Sequence, residues 1–375
     1  MASVGLQALV AEPADFIQHL AIQNQLLACL KWLSEFQVLA CIPLDGSISI
    51  EEIADLASVP ETQLGRVVRM MATAGFLHEP HPGHIAHTSL SAPFVTNLAF
   101  LDAAMFLAET AAPTALHMPA ATQRQGRQSA YSLAFPGSQP FPSACVERTK
   151  LQRQWSAYRR CVGDVDDSAT ELIGRLKWRS LGNACIVDAC AQSTEAVMAL
   201  AEMHPSLQFI VQMIDPAQDC NSTIEGFSGR ITVQRRLPAA VQEVTNAAVY
   251  ILRLTTPFTP LPAQMLAELN AHLNVLRTNA TATLILALPL LPEPRAVSAD
   301  VEAKVRLRDL CRIQLADQRE MEPGELLEAI NSVSDNNGRL VVVSRLRCPQ
   351  SATVALGVQY QTFADRTHPV GQIVA

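Results

Sequence analysis

Ile186-Val187-Asp188-Ala189-Cys190-Ala191-Gln192-Ser193-Thr194 carries most of the information about the second half of the chain. An apolar run closed by an acid, followed by a polar turn into Glu195-Ala196-Val197-Met198, has the form of a buried strand passing into a helix. Turns of this kind that cradle a nucleotide-like cofactor carry glycines, because the backbone must bend tightly and let the ligand approach amides that a Cβ would shield. None of these nine residues is a glycine. The strand and the helix are retained and the cradle between them is not.

Beyond this stretch, short apolar runs recur at Gln208 to Met213, Arg230 to Val233, Ala248 to Leu252 and Thr283 to Ala287, with helical patterns between them. That alternation predicts an α/β fold with a parallel, doubly wound sheet whose first strand is Cys185 to Ala189. Two last runs, Arg339 to Arg345 and Ala352 to Tyr360, are separated only by Leu346 to Ser351. This is too short for a crossover helix, so an antiparallel hairpin is expected.

The first third is patterned differently. Leu20, Leu26, Leu27, Leu30, Leu33 and Val38 recur at helical spacing between Phe16 and Leu39, which predicts one helix with a wide apolar stripe. Ser49-Ile50-Glu51-Glu52 has the form of a capping box for a short helix through Ile53, Ala54 and Ala57. A second helix after Pro60 sets Leu64, Val67, Val68 and Met71 on one side and Arg66 and Arg69 on the other, and Gly75 ends it. Phe76 to Val95, turning at Pro80-His81-Pro82-Gly83, reads as a β-hairpin wing. Residues 119–150 are rich in Gln, Ser, Pro and Gly and read as a linker. The expected organisation is a helical winged-helix domain over 1–118, a linker over 119–150 and a Rossmann-like domain over 151–375.

Composition narrows the function class. A chain of 375 residues, 49% hydrophobic, can bury sizeable cores. With 28 Lys and Arg against 35 Asp and Glu, no global field draws it to phosphates. Nine scattered cysteines without a Cys-x-x-Cys pair argue against a disulfide framework and a tetrahedral zinc site, and favour a reducing compartment. Met1 to Gln18 carries Glu12 and Asp15 and lacks the basic start and apolar core of a secretory signal. No apolar run is long enough to span a bilayer.

A winged-helix module followed by a Rossmann-like sheet closed by an antiparallel hairpin resembles the fungal and plant small-molecule O-methyltransferases. Ile53-Ala54 to Ala74-Gly75-Phe76-Leu77 is similar to their dimerisation module, Pro205 to Gln212 to their second strand, and Leu290-Leu291-Pro292-Glu293 to their post-strand motif. That resemblance implies S-adenosylmethionine as cofactor, and three sets of positions depart from it. Cys190, Ala191, Gln192 and Thr194 stand where the glycine run belongs. Met213 replaces the acid that would hold the ribose hydroxyls, with Asp215 two residues on. Thr256 or Pro257 falls where the general-base histidine would be, and neither has useful basicity near neutral pH. The 16 glycines nowhere come closer than Gly226 and Gly229, so no shifted Gly-x-Gly loop exists elsewhere. The expectation is therefore a pseudoenzyme with no catalytic residues, no cofactor and no metal.

Ser91 to Thr96, Leu101 to Thr110 and Trp155 to Cys161 are more specifically similar to the O-methyltransferase-like transcriptional co-activators encoded in fungal polyketide clusters of the aflatoxin type. This resemblance implies a non-catalytic partner of a zinc-cluster transcription factor, resident in the nucleus, that does not bind DNA directly. It also implies a homodimer, with the stripe of Leu26, Leu30 and Leu33 buried between protomers. Two other readings stay open. One is a cofactor-independent pericyclase or cyclase with a pocket near Thr255, Thr256 and Trp155; the other is an S-adenosylmethionine-dependent O-methyltransferase with a rebuilt loop.

Several clusters invite sharper readings and receive plainer ones. Arg66 and Arg69 could contact DNA, but Ser47 to Thr96 holds five acids and two bases, a net charge of −3 that would repel it. His78, His81, His84 and His87 recur every third residue, whereas side chains on a strand alternate with period two, so a solvated wing is expected. Lys304, Arg306, Arg308 and Arg312 among Asp300, Glu302 and Asp309 are expected to form an exposed, salt-bridged helix face. Cys185 and Cys190 are read as small core residues without a basic neighbour. Asp188 is read as an acceptor for the amides of the turn that follows it. Trp155, Tyr158 and Trp178 are read as core contacts.

Overall fold

Ser49 caps its helix as the sequence predicts. In the computed structural model its Oγ accepts from the Glu52 N–H at 3.1 Å while the Glu52 carboxylate accepts from the Ser49 N–H at 3.3 Å. Two donors at the start of the helix Ile50–Ala57 are thereby satisfied. The structure describes residues 12–125, 128–162, 168–176, 178–214, 224–254, 261–347 and 351–364. Two units divide the chain: Met1–Asp164 with Gln314–Asp317, and Val165–Ile313 with Gln318–Ala375.

In the first unit the strand β1 (Ile48–Ser49) pairs antiparallel with β3 (His84–His87), which pairs with β2 (Leu77–His81). Helices Ile50–Ala57 and Glu61–Thr73 bury Ile53, Leu64 and Val68 beside Leu33 of the helix Pro13–Glu35. Leu26 and Leu30 pack against this same cluster, so the stripe expected to meet a second protomer belongs to the chain's own core. The outward apolar residues of that helix lie nearer its start: Phe16 is 61% exposed, Ile17 64% and Leu20 51%.

The segment 119–150, expected as a linker, contains the helices Ala130–Ala134 and Phe141–Glu147, and the units part at Asp164 and Val165 instead. Its aromatic residues explain the difference. The Phe141 ring lies 5.4 Å from Trp155 and 6.0 Å from Phe106, and Phe106 lies 4.9 Å from Tyr158. Polar composition marks the turns of this stretch; its few buried rings fix it in a core.

The second unit is a seven-stranded sheet in the order β6-β5-β4-β7-β8-β10-β9. β4 (Cys185–Ala189), β5 (Gln208–Met213), β6 (Ile231–Arg235), β7 (Val249–Arg253) and β8 (Thr283–Pro289) are parallel. β9 (Gly338–Arg347) and β10 (Thr353–Thr362) form the expected antiparallel hairpin, and β10 inserts between β8 and β9. Gly338 is required where β9 begins, because a Cβ there would stand 2.3 Å from the Gln361 carbonyl oxygen. Val187, Leu252, Leu284 and Leu356 face one core, covered by the helix Leu261–Thr278; Ile186, Phe209, Val211 and Ile251 face the other, with the helix Glu195–Met203. Central strands buried on both faces account for their unbroken apolar runs. Among the described residues no helix is long and apolar enough to cross a membrane.

Candidate functional site

Ligands of parallel sheets bind beyond the carboxyl ends of the central strands, and here that place lies above β4 and β5. Cys190 leaves β4 with φ +63°, the left-handed region that glycine occupies without strain and other residues do at a cost. The turn thus keeps the backbone bend of a glycine loop while carrying a side chain. Ala191 is buried, and its N–H donates to the Gln212 carbonyl at 2.9 Å, tying the turn to β5. Gln192 is exposed, and the Thr194 hydroxyl lies 3.6 Å from the Met198 sulfur.

The Cys190 thiol lies 3.3 Å from Glu268 and 3.5 Å from the Arg236 guanidinium, so the expectation of no basic neighbour is corrected. Arg236 does not activate the thiol, because it is committed to Glu268 at 2.9 Å. Burial, together with the adjacent Glu268 charge, pushes the Cys190 thiol up to about 12. Burial also raises Glu268, but the Arg236 guanidinium and the Ala239 N–H, 2.6 Å from its carboxylate, outweigh it and hold the acid ionised below its usual range. Two buried charges survive here because each is hydrogen-bonded to the other and to backbone.

A buried amide chain continues from this pair. Gln212 and Gln242 exchange hydrogen bonds of 2.8 and 3.0 Å, Gln242 reaches His272 at 3.2 Å, and His272 Nδ1 meets the Glu268 carbonyl at 2.7 Å. Met213, expected at the place of the ribose acid, is half-buried at the end of β5 and packs against the apolar core beside Phe209 and Val211. The sequence reading missed Arg236, Glu268 and His272. The available signal was two polar residues four apart, Glu268 and His272, on the apolar stripe of Met265, Leu269 and Leu276.

Asp188 accepts from the Arg253 guanidinium of β7, a correction to its expected role at the turn amides. Its second carboxylate oxygen is buried with no hydrogen-bond partner among the described residues, and burial outweighs Arg253 to lift this acid to about 6. Asp215, Thr255, Thr256, Pro257 and Phe258 lie outside the described residues.

The remaining candidates disperse. Arg69, on the helix Glu61–Thr73, pairs with Glu79 of β2 at 3.4 Å. His87 bridges the Ser91 hydroxyl and the Leu39 carbonyl, while the His81 and His84 rings sit 6.5 Å apart across the hairpin. No group of three His, Cys, Asp or Glu is placed to hold a metal among the described residues. The cluster expected as an exposed face is partly internal: Arg308 is buried against Glu320 at 2.8 Å, with Arg312 at 3.2 Å from the same carboxylate. Trp178 is buried and donates to the Ile173 carbonyl at 2.7 Å.

No family model matches the chain. Structural neighbours share its fold: LepI in complex with SAM has a TM-score of 0.65 at 15% identity, covering 96% of this chain and 92% of that one. The mitomycin 7-O-methyltransferase MmcR has a TM-score of 0.64 at 15% identity, covering 93% and 98%. Sequence relatives are far nearer. A transcriptional coactivator of Pseudocercospora fijiensis is 60% identical over 90% of this chain and 97% of its own length. The trypacidin cluster transcriptional coactivator tpcD of Aspergillus fumigatus is 48% identical over 96% and 84%, and the monodictyphenone cluster transcriptional coactivator mdpA of Emericella nidulans 44% over 96% and 87%. On an O-methyltransferase fold, the chain belongs to the family of transcriptional coactivators of secondary-metabolite gene clusters.

Proposed function

We propose that this chain is a non-catalytic coactivator that binds a zinc-cluster transcription factor in the nucleus and raises output from a secondary-metabolite gene cluster, without itself contacting DNA. The observation that carries this reading, beside the family, is the turn after β4: Cys190 puts a Cβ and a thiol where a cofactor would need open backbone, and the thiol is packed on the Arg236–Glu268 pair. With Met213 in place of a ribose-binding acid, the residues present do not fit S-adenosylmethionine. We therefore read the fold as a scaffold whose surfaces do the work. The winged-helix unit would pair two protomers through the exposed start of the helix Pro13–Glu35, and the net negative charge of residues 47–96 speaks against DNA as its ligand.

Three measurements test this together. Titration calorimetry with S-adenosylmethionine should show no heat of binding. Capture of the cluster's zinc-cluster protein on the purified chain should succeed, and output from a promoter reporter in cells should vanish when the chain is deleted. Tight binding of the methyl donor, or a reporter indifferent to the chain, defeats the reading.

A further inference from the structure

A cavity of about 250 Å³ lies toward the border of the sheet opposite β6, where the ends of β8, β9 and β10 meet the start of the helix Pro323–Ser332. Leu290, Pro292, Val297 and Val354 supply apolar wall, and Arg345, Arg347 and Glu293 are its charged residues. Arg345 and Arg347 are opposite Leu356 and Val354 in the hairpin, so both rise from one face of β9. Neither makes an ion pair among the described residues. Partial desolvation and the charge of Arg347 destabilise the Arg345 cation, and Glu293 offsets this only in part, which an incoming carboxylate would relieve.

β9 is also the last strand of the sheet. Its start is covered, since Leu340 donates to the Val333 carbonyl at 3.0 Å. From Val343 onward the strand is largely exposed, and no strand lies beside its outer edge among the described residues. An open edge presents alternate main-chain donors and acceptors to any extended chain that approaches it. Two arginines on such an edge, beside an apolar cavity, in a protein whose net charge is −7, are a local reversal of sign.

We propose that this cavity and the free end of β9 hold an extended acidic peptide of the transcription factor, with an apolar side chain in the cavity and carboxylates on Arg345 and Arg347. The proposal rests on the coactivator reading above and gives it an address. Charge complementarity selects this occupant: Glu293 within the cavity disfavours a nucleic-acid backbone, whereas a peptide can set its acids on the arginines and leave Glu293 to solvent.

The test uses the whole chain and fluorescein-labelled peptides, each about 15 residues so that it can span the edge and the cavity, tiling the transcription factor encoded in the same cluster. One acidic peptide is expected to bind, with affinity falling as salt rises. The double variant R345E/R347E should weaken it at least about tenfold, and a peptide with its acids changed to lysine should bind that variant better than the native chain. Ala296 is exposed at the cavity, so Ala296→Trp fills it without disturbing the core and should weaken the native peptide similarly. The proposal is overturned if no peptide binds, if binding ignores both variants, or if the arginine variant loses duplex DNA instead of peptide. Capture of the intact transcription factor is read in parallel. Capture that is indifferent to these residues sinks the docking site alone; no capture by the native chain sinks the coactivator reading.

Discussion

Arg236 and Glu268 meet at 2.9 Å with both side chains buried, and the Cys190 thiol lies against both of them. The charge balance inside the fold thus depends on three segments: the turn after β4, the end of β6 and the helix Leu261–Thr278. Removing one partner leaves the other charged and dry. Glu268→Gln is expected to cost about 3–5 kcal/mol in urea unfolding, and R236M/E268L to recover most of that loss. Equal stability of the single and the double variant would show that the pair is not buried as described.

Cys190 reverses the usual order of small substitutions. Glycine relieves the left-handed backbone, whereas alanine keeps that strain and loses the sulfur contacts. Cys190→Gly should unfold within about 1 kcal/mol of the native chain, and Cys190→Ala should be the less stable variant by about 1 kcal/mol. Denaturation of the two side by side checks the order.

Two buried groups should tilt stability with pH in opposite senses. Burial lowers His272 from 6.5 to about 4, so the unfolded chain takes a proton that the folded one refuses, and this contribution is lost as pH falls from 6.5 to 4. Burial raises Asp188 from 3.8 to about 6, so the folded chain binds the extra proton and gains stability as pH falls from 6 to 3.8. Each swing is on the order of 3 kcal/mol. Relative to the native chain, His272→Gln should therefore become more stable on mild acidification and Asp188→Asn less stable. Unfolding free energies compared at the two ends of the window, near pH 4 and pH 6.5, give both slopes.

In the proposed dimer the exposed start of the first helix, with Phe16 and Leu20, would meet the second protomer. F16D/L20D should lower the mass seen by light scattering with little change in melting temperature, because both positions are exposed. Leu33→Ala should lower stability by about 2–5 kcal/mol, since its side chain is fully buried.

The α/β architecture was legible because strand and helix periodicities are local: each parallel strand carries its own apolar run, and the brevity of Leu346 to Ser351 forces the last hairpin. The capping box at Ser49 was legible for the same reason. The missing glycines at Cys190 could be read, but not what fills their place, because Arg236 and Glu268 are 32 residues apart and meet only after the sheet forms. Glu320 was likewise hidden from Arg308, 12 residues away across a helix end. The polar composition of 119–150 predicts a linker because it carries no trace of the contact between Phe141 and Trp155, which forms only once the core is assembled.

Because β10 threads between β8 and β9, the sheet holds a gap that only a late stretch of the chain can fill. While Thr353–Thr362 is still inside the ribosome, β8 shows an unclosed border made of Leu284, Leu286 and Leu288. A product cut short before β10 would expose that sticky seam, and is expected to aggregate or to be held by chaperones.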